Sequence, residues 1–203
     1  MLSLEELSLS FTYKPLFKNL SFSSFKGAIL HLGGPNGCGK TSLLKILAGL
    51  YQANAGRITF EGDDIRALGQ EYRDLIAYIS YLPELKAGLN MVDNISFWAK
   101  LNQTEMLIEA AIKFFKLGDL LDYKVGSLSA GQQKLVSLSR LIACPKIIWL
   151  LDEPFAFLDQ KHSEKLAELI KIRARQGGII ILSGHQIPDL GQAYQAIAIN
   201  DFK

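Results

Sequence analysis

A run of residues in the first quarter of the chain has the composition and spacing of a phosphate-binding loop. Residues 34–41 read Gly-Pro-Asn-Gly-Cys-Gly-Lys-Thr and fit the pattern G-x-x-x-x-G-K-[ST]. Glycines let a backbone wrap closely around phosphate oxygens, and the first N–H groups of a helix favour an anion. We therefore expect Lys40 to reach the β- and γ-phosphates of a nucleoside triphosphate and the Thr41 hydroxyl to ligate Mg²⁺. The expected triphosphate-binding residues are Gly34, Pro35, Asn36, Gly37, Cys38, Gly39, Lys40, Thr41 and Ser42.

Two neighbouring carboxylates follow an apolar run later in the chain. Asp152 and Glu153 come directly after Ile147-Ile148-Trp149-Leu150-Leu151. In open α/β sheets, ligands bind at the carboxyl ends of such strands. We expect Asp152 to hold Mg²⁺ and Glu153 to orient and deprotonate an attacking water. By themselves the two residues fit an acidic turn after a core strand equally well, and the phosphate-binding loop favours the catalytic interpretation.

Two further features are ambiguous when taken alone. Ser129, in Leu128-Ser129-Ala130-Gly131-Gln132-Gln133, is a good N-cap for the helical stretch that follows. Its hydroxyl, the Gly131 N–H and the helix dipole would form a second anion-binding end, although an ordinary capped helix explains the same residues. His185, which follows a strand-like run, is compatible with a structural histidine.

The elements that must position these groups alternate between two kinds of pattern. Period-two runs in the first sixty residues predict half-buried strands at 7–11, 20–25 and 57–60, and continuous apolar runs predict buried parallel strands at 28–32, 147–151 and 179–182. A strand is also expected at 78–83. Helices are predicted at 42–48 and 134–143, and the segment 90–121 reads as a helical insert with a one-sided stripe at Ile108, Ala111, Ile112 and Phe115. This alternation predicts an α/β architecture.

Composition restricts the class of protein. The chain has 203 residues, 49% of them hydrophobic, which suits one domain with a sizeable core. The net charge of +2 gives no basic field for nucleic acid, and the first residues lack the pattern of a secretory signal. Two cysteines, Cys38 and Cys144, favour a reducing, cytosolic compartment. Cys38 at a helix N-terminus is expected to be a reactive thiol.

The order of these motifs resembles that of the ABC-transporter ATPases over essentially the whole chain. Leu128-Ser129-Ala130-Gly131-Gln132 resembles the signature motif of that family, Phe155-Ala156-Phe157-Leu158-Asp159 its D-loop, and His185 its switch histidine. The resemblance implies an ATPase that uses ATP and Mg²⁺, with Glu153, His185 and Lys40 catalytic and Ser129, Gly131 and Gln132 on the nucleotide. It places Asp159 at a dimer interface.

Finer details resemble one branch of the family, the ATP-binding subunits of the cytochrome c maturation system, often called heme exporters. These details are Ala130 within the signature, the phrase Leu151-Asp152-Glu153-Pro154-Phe155 and the run Gly177–Leu182 leading to His185. Two departures stand out. Glu84 occupies the position expected for a metal-linked glutamine, and we expect it to keep the metal role and to alter coupling to the membrane subunits; the other interpretation is a loop glutamate that only falls in register with that position. The adenine-stacking aromatic is expected at Phe11, with Tyr13 as the alternative and core packing of both as the other interpretation.

The resemblance implies an α/β P-loop NTPase fold of the ABC type over residues 1–203, with an antiparallel β-subdomain and a helical subdomain at about residues 85–134. It further implies a homodimer that sandwiches two ATP molecules, a separate membrane permease as partner, and a peripheral position on the cytoplasmic side of the inner membrane. Two alternatives remain: an ABC ATPase that drives protein or cofactor assembly without transport, and a small-molecule kinase, which the signature and His185 disfavour.

Overall fold

The computed structural model describes residues 1–11, 14–185, 187–191 and 194–202, apart from the side chains of Phe11 and Lys14. The N-terminal part forms an antiparallel sheet with the strand order β2-β1-β4-β5. In register, Leu4 of the first strand lies opposite Phe22 on one side and Ile58 on the other. Leu7, inside the predicted strand 7–11, lies opposite Leu20, so the strands predicted by period-two patterning are confirmed, although the first strand begins earlier, at Leu2. The strands are β1 Leu2–Phe11, β2 Lys14–Ser24, β4 Ala55–Phe60 and β5 Asp63–Asp64.

The second sheet is parallel and has the strand order β6-β7-β8-β3-β9. Every residue of the two central strands β7 and β8 is buried, because layers cover both faces of this sheet. The three apolar runs are therefore confirmed as core strands. The strand predicted at 78–83 instead ends at Ile79, so residues 80–83 form the loop beyond it. The strands are β3 Ile29–Gly33, β6 Ile76–Ile79, β7 Ile148–Leu151, β8 Ile179–Ser183 and β9 Tyr194–Ala198.

Helices cover this sheet and form a separate group in the middle of the chain. In that group the predicted stripe is confirmed, because Ala111 and Phe115 are fully buried and Ile108 and Ile112 pack against the same core. The helices are α1 Lys40–Leu47, α2 Ile65–Leu68, α3 Gln70–Asp74, α4 Met91–Leu101, α5 Ile108–Phe115, α6 Ala130–Ala143 and α7 Gln160–Arg175. Short 3₁₀ turns lie at Glu105–Leu107, Gly118–Leu120, Val125–Ser127 and Ile199–Phe202.

Two hydrophobic cores lie on opposite faces of the parallel sheet. Alternate residues of each strand enter different cores: Trp149 and Leu151 face the core of α4–α7, and Ile148 and Leu150 face that of α1 and the antiparallel sheet. This packing brings the start of α1 and the carboxyl ends of β7 and β8 to one edge of the sheet. Of the helices in the described residues, none combines the length and apolar character that a bilayer crossing requires.

Candidate active site

The phosphate-binding loop connects β3 to α1 and folds around its own lysine. Lys40 is only 8% exposed, and its Nζ donates to the carbonyl oxygens of Gly34 at 2.7 Å and Pro35 at 3.2 Å. Gly39 has a φ of +110°, and a Cβ there would lie 3.1 Å from the Phe17 ring, so both backbone and space require glycine. Gly39 is also the N-cap of α1 and has no side chain to cap it. The first N–H groups of α1 are thus directed at the position expected for phosphate.

A network of hydroxyl groups holds the carboxylate at the end of β7. Thr41 Oγ1 donates to Asp152 Oδ2 at 2.7 Å, and Ser183 Oγ donates to Asp152 Oδ1 at 2.6 Å. The Ser183 hydroxyl in turn accepts from the Glu153 N–H at 3.0 Å. Asp152 is 2% exposed, so these two hydroxyls replace solvent for a buried carboxylate. Sequence reasoning missed Ser183; its position at the end of an apolar run was the available signal.

Glu153 and His185 lie side by side next to the phosphate-binding loop. Glu153 has a φ of +45°, a conformation that costs energy in a residue with a Cβ and that occurs preferentially at functional sites. His185 Nε2 lies 2.8 Å from Asn36 Oδ1 and 3.8 Å from Glu153 Oε1. The loop after β8 thus carries its histidine to the phosphate-binding loop, as expected.

These groups surround a cavity of about 730 Å³. It is large enough for a nucleotide and combines one buried cation, two carboxylates and the N-terminus of α1. Ala156, from the segment that resembles the D-loop, also lines it, together with Leu16 and Tyr81, to which the sequence analysis gave no role at the nucleotide. The predicted residues that line it are Asn36, Gly37, Gly39, Lys40, Thr41, Ser42, Asp152, Glu153 and His185.

Cys38 is inside the loop but does not face the cavity. Its side chain is 2% exposed and belongs to the hydrophobic core beneath α1. A Cβ on Gly34 would lie 2.7 Å from Cys38 Sγ, which shows how tightly the thiol is enclosed. The expectation of an accessible, reactive thiol is therefore wrong, because the loop turns this side chain inward.

The second anion-binding end lies elsewhere in the chain. Ser129 Oγ accepts from the Gln132 N–H at 3.3 Å, and Gln132 Oε1 accepts from the Ser129 N–H at 2.9 Å, which together form a capping box at the start of α6. Ser129, Gly131 and Gln132 are absent from the described lining of the cavity. A Cβ on Gly131 would lie 2.7 Å from the Phe157 carbonyl oxygen. The N-terminus of α6 therefore lies against the segment that follows Glu153.

Three further predicted residues have different outcomes. Asp159 is exposed and caps α7, where the His162 N–H donates to Oδ1 at 2.8 Å and lowers the pKa of the carboxyl group. Glu84 is exposed and does not line the cavity. Burial raises the pKa of Tyr78 and lowers the pKa of Arg140, and the charge of Glu84 adds to the first shift and opposes the second. Its role at the metal stays a prediction. The Phe11 side chain and Tyr13 lie outside the described residues.

A buried lysine behind the cavity was not anticipated. Lys134 of α6 is fully buried, and its Nζ donates to the carbonyl oxygens of Ser80 and Tyr81 at 3.2 Å and of Asp152 at 3.4 Å. Burial lowers the pKa of Lys134 to about 8, and the charges of Asp152 and Glu153 oppose that shift. Lys134 thus joins α6, the loop after β6 and the end of β7 in one contact.

Comparison with known proteins agrees with this geometry. The family model described as ABC transporter matches residues 17–156. The cytochrome c biogenesis ATP-binding export protein CcmA of Rickettsia bellii is 40% identical over 185 residues, which are 91% of this chain and 93% of that protein. The protein of the same description from Wolbachia pipientis wMel is 39% identical over 202 residues, covering 100% of this chain and 98% of its own length.

A solved structure shares the architecture. The structure described as dimeric MJ0796, a bacterial ABC transporter cassette, superposes with a TM-score of 0.81 at 21% identity and covers 97% of this chain and 94% of that chain. The predicted fold class is confirmed: an α/β core with an antiparallel sheet and a helical group. The chain therefore belongs to the ABC transporter family, as an ATP-binding subunit that hydrolyses ATP.

Proposed function

We propose that this chain is the nucleotide-binding subunit of a transporter for cytochrome c biogenesis and that it powers the movement of heme or an associated factor through a separate membrane permease. The support for this branch of the family is the likeness to the CcmA export proteins over more than nine-tenths of the chain. Those names describe export, and they favour transport over assembly without transport. The subunit then works at the cytoplasmic face of the membrane that holds the permease.

The observation that carries the enzymatic part is the 2.7 Å contact between Thr41 Oγ1 and Asp152 Oδ2. Mg²⁺ in nucleotide sites binds one or two protein oxygens and completes its shell with phosphate and water. Two oxygen ligands already in contact, next to the phosphate-binding loop, fit that requirement. Thr41 and Asp152 would hold the ion, which supplies charge neutralisation to the phosphates when bound.

The remaining residues divide the work of phosphoryl transfer to water. The Lys40 ammonium leaves the Gly34 and Pro35 carbonyls to bind the β- and γ-phosphates, and Glu153 orients the water and accepts its proton. His185 holds the γ-phosphate from the loop after β8. This transfer gains mainly from positioning and charge stabilisation, which this set of groups can supply.

The site is completed by a second copy of the chain. Ser129 and the first N–H groups of α6 form an anion-binding end that does not line the chain's own cavity. A head-to-tail dimer would bring that end to the γ-phosphate held by Lys40 of the other copy, and a structurally similar cassette is described as dimeric. We infer that ATP binding closes this dimer and that hydrolysis opens it, with Asp159 at the interface.

The helical segment at about residues 85–134 is the proposed contact surface for the permease. It carries exposed apolar side chains on α4 and the turn beyond it: Phe97 is 38% exposed, Leu101 65% and Met106 83%. Exposed apolar groups in one region mark a contact surface. Closure of the dimer would then move this segment and the permease together.

The Glu153→Gln variant tests the enzymatic proposal. It keeps the size of the side chain but removes the proton acceptor, so ATP should bind without turnover and trap the closed dimer. Light scattering in saturating Mg-ATP should show a dimer for Glu153→Gln and a monomer for the Lys40→Ala, Glu153→Gln double variant. A monomeric Glu153→Gln protein with bound ATP would contradict the shared site.

A further inference from the structure

His31 lies in β3, three residues before the phosphate-binding loop, and no step described so far uses it. Side chains along a strand alternate between the two faces of the sheet. Leu30 and Leu32 enter the core beneath α1, so the His31 side chain lies on the opposite face, which it shares with Ile29. Parallel pairing sets His31 opposite Leu182 of β8 and Ala196 of β9. The imidazole therefore stands on that face of the sheet above β3, with β8 on one side and β9 on the other.

Both ring nitrogens have a partner. Nε2 lies 2.8 Å from the Gly184 carbonyl oxygen, and Nδ1 lies 2.7 Å from the Tyr194 hydroxyl. The two rings are also stacked, with centroids 5.8 Å apart. A carbonyl oxygen only accepts, so Nε2 must carry a hydrogen, and in the neutral ring Nδ1 accepts from Tyr194. The Gly184 carbonyl thus selects the tautomer, and the Tyr194 hydroxyl stabilises it by donating to Nδ1.

The Gly184 carbonyl belongs to the peptide that joins Gly184 to His185. A Cβ on Gly184 would lie 3.6 Å from Glu153 Oε2, so this peptide lies close to the catalytic carboxylate. His185 itself is 55% exposed at its side chain and touches the phosphate-binding loop through Asn36. An exposed side chain has few contacts of its own to fix it, so the backbone from which it projects determines its position.

We propose that His31 is a positioning residue: its Nε2–H fixes the Gly184–His185 peptide and so aims His185 at the γ-phosphate, while the Tyr194 hydroxyl donates to Nδ1 and stabilises that tautomer. His31 acts through His185 and does not touch the nucleotide. It also links the strand that leads into the phosphate-binding loop with the loop that carries the histidine. The positioning role rests on the proposed ATPase mechanism, whereas the tautomer of His31 follows from its two hydrogen bonds alone.

Two substitutions separate the two nitrogens of the ring. His31→Gln places an amide N–H close to the position of Nε2 and should keep the Gly184 bond. His31→Asn reaches only the position of Nδ1 and should lose it. We expect His31→Asn to lower kcat for ATP hydrolysis by about 3- to 10-fold, the range for one lost hydrogen bond, with ATP affinity close to that of the wild type and a Tm lower by about 2–4 °C. His31→Gln should retain most of kcat.

A double-mutant cycle shows whether His31 acts through His185. In a His185→Ala background, His31→Asn should cause no further fall in kcat. An equal fall in both backgrounds, or a failure of His31→Gln to rescue, would overturn the inference. So would unchanged kcat in His31→Asn. A wild-type protein without ATPase activity would contradict the proposed function. The hydrogen bond from His31 Nε2 to Gly184 would then be tested by the protonation of the two ring nitrogens alone.

The tautomer can be read without nucleotide. The chain has three histidines, so ¹⁵N NMR of the imidazole nitrogens can assign each ring. We expect a protonated Nε2 and an unprotonated Nδ1 at His31, and a shifted Nδ1 resonance in Tyr194→Phe. A ring protonated at Nδ1 alone would overturn the inference, whatever the activity of the enzyme.

Discussion

The hydroxyl group of Thr41 and the carboxylate of Asp152 meet at 2.7 Å, although 111 positions separate them in the chain. Thr41 is the second residue of α1 and Asp152 directly follows β7, so neither segment alone contains a metal site. Packing of α1 on the parallel sheet brings the two together and forms a pair of oxygen ligands. The account of ATP hydrolysis depends on this pair.

Removal of the Thr41 hydroxyl should weaken the binding of Mg²⁺. We expect Thr41→Ala to lower the affinity of the ATP complex for Mg²⁺ by about 10- to 100-fold, the range seen when a partner of a metal site is lost. Thr41→Ser keeps the hydroxyl and should stay within a few-fold of the wild type. Titration of ATPase activity with Mg²⁺ at fixed ATP measures both. Equal Mg²⁺ requirements in Thr41→Ala and Thr41→Ser would remove Thr41 from the metal site.

Replacement of the loop lysine should affect nucleotide affinity. Charge-assisted hydrogen bonds contribute about 1.5–3 kcal/mol, so Lys40→Ala should raise the Kd for ATP by about 10- to 100-fold. The folding stability should change little, because the Gly34 and Pro35 carbonyls released by the substitution can accept from water. Isothermal titration gives the affinity, and a melting curve provides the control. Unchanged ATP affinity in a folded Lys40→Ala protein would contradict the role of this loop.

The buried lysine predicts a specific dependence of stability on pH. In the folded state the pKa of Lys134 is about 8, against an ordinary value of 10.5. Between these values the unfolded chain binds more protons, so the free energy of unfolding must rise with pH across that window. Below pH 8 both states are protonated, and the folded state carries the cost of a buried charge.

Comparison with Lys134→Met isolates this effect in metal- and nucleotide-free protein. From pH 7 to pH 9.5 the wild type should gain about 2 kcal/mol in its free energy of unfolding relative to Lys134→Met, since a pKa difference of one unit corresponds to about 1.4 kcal/mol. Urea unfolding at each pH supplies the values. A difference that stays constant or falls with pH would show that Lys134 does not carry this shift.

The rate of thiol modification should show that the Cys38 side chain of the phosphate-binding loop points into the core. Cys38 and Cys144 are both buried, so a thiol reagent should modify neither cysteine quickly in the native protein and both in denaturant. Added ATP should not change the native rate. Rapid modification of one cysteine, prevented by ATP, would instead support the accessible thiol that the loop position alone suggested.

Local sequence patterns predicted the features that local forces determine. Period-two patterning identified the strand around Leu9, a continuous apolar run identified the strand around Leu150, and the helical period identified the stripe of α5, because burial on one face or on two faces imposes these patterns. The loop at Lys40 and the carboxylates at Asp152 and Glu153 could be recognised because the residues of each motif are adjacent in the sequence. The resemblance to a known family then supplied the roles of Ser129 and His185.

Features that depend on distant contacts were not predicted. Lys134 reads as a solvent-facing lysine within a helix, and only the fold shows that three carbonyl oxygens surround its ammonium group. Cys38 reads as exposed because the direction of its side chain depends on the core beneath the loop. The strand β9 and the partnership of His31 with Gly184 likewise depend on pairing across the sheet, which no local pattern encodes.

We infer that one ATP is held by the Lys40 loop of one copy and the capped helix at Ser129 of the other. Ser129→Asp is suited to test it, because aspartate caps a helix as well as serine does but adds a negative charge that repels phosphate. Ser129→Asn, a neutral cap, is the matched control and should retain more activity.

Mixing two inactive variants gives the most direct measurement. Lys40→Ala and Ser129→Asp should each hydrolyse little ATP alone, since every site in either homodimer has one damaged half. A mixed dimer has one intact site, which combines Lys40 of the Ser129→Asp copy with Ser129 of the Lys40→Ala copy. If each site is shared between two copies, the ATPase activity of the mixture should be well above the sum of the activities of the two separate proteins. Activity equal to that sum would contradict a shared site.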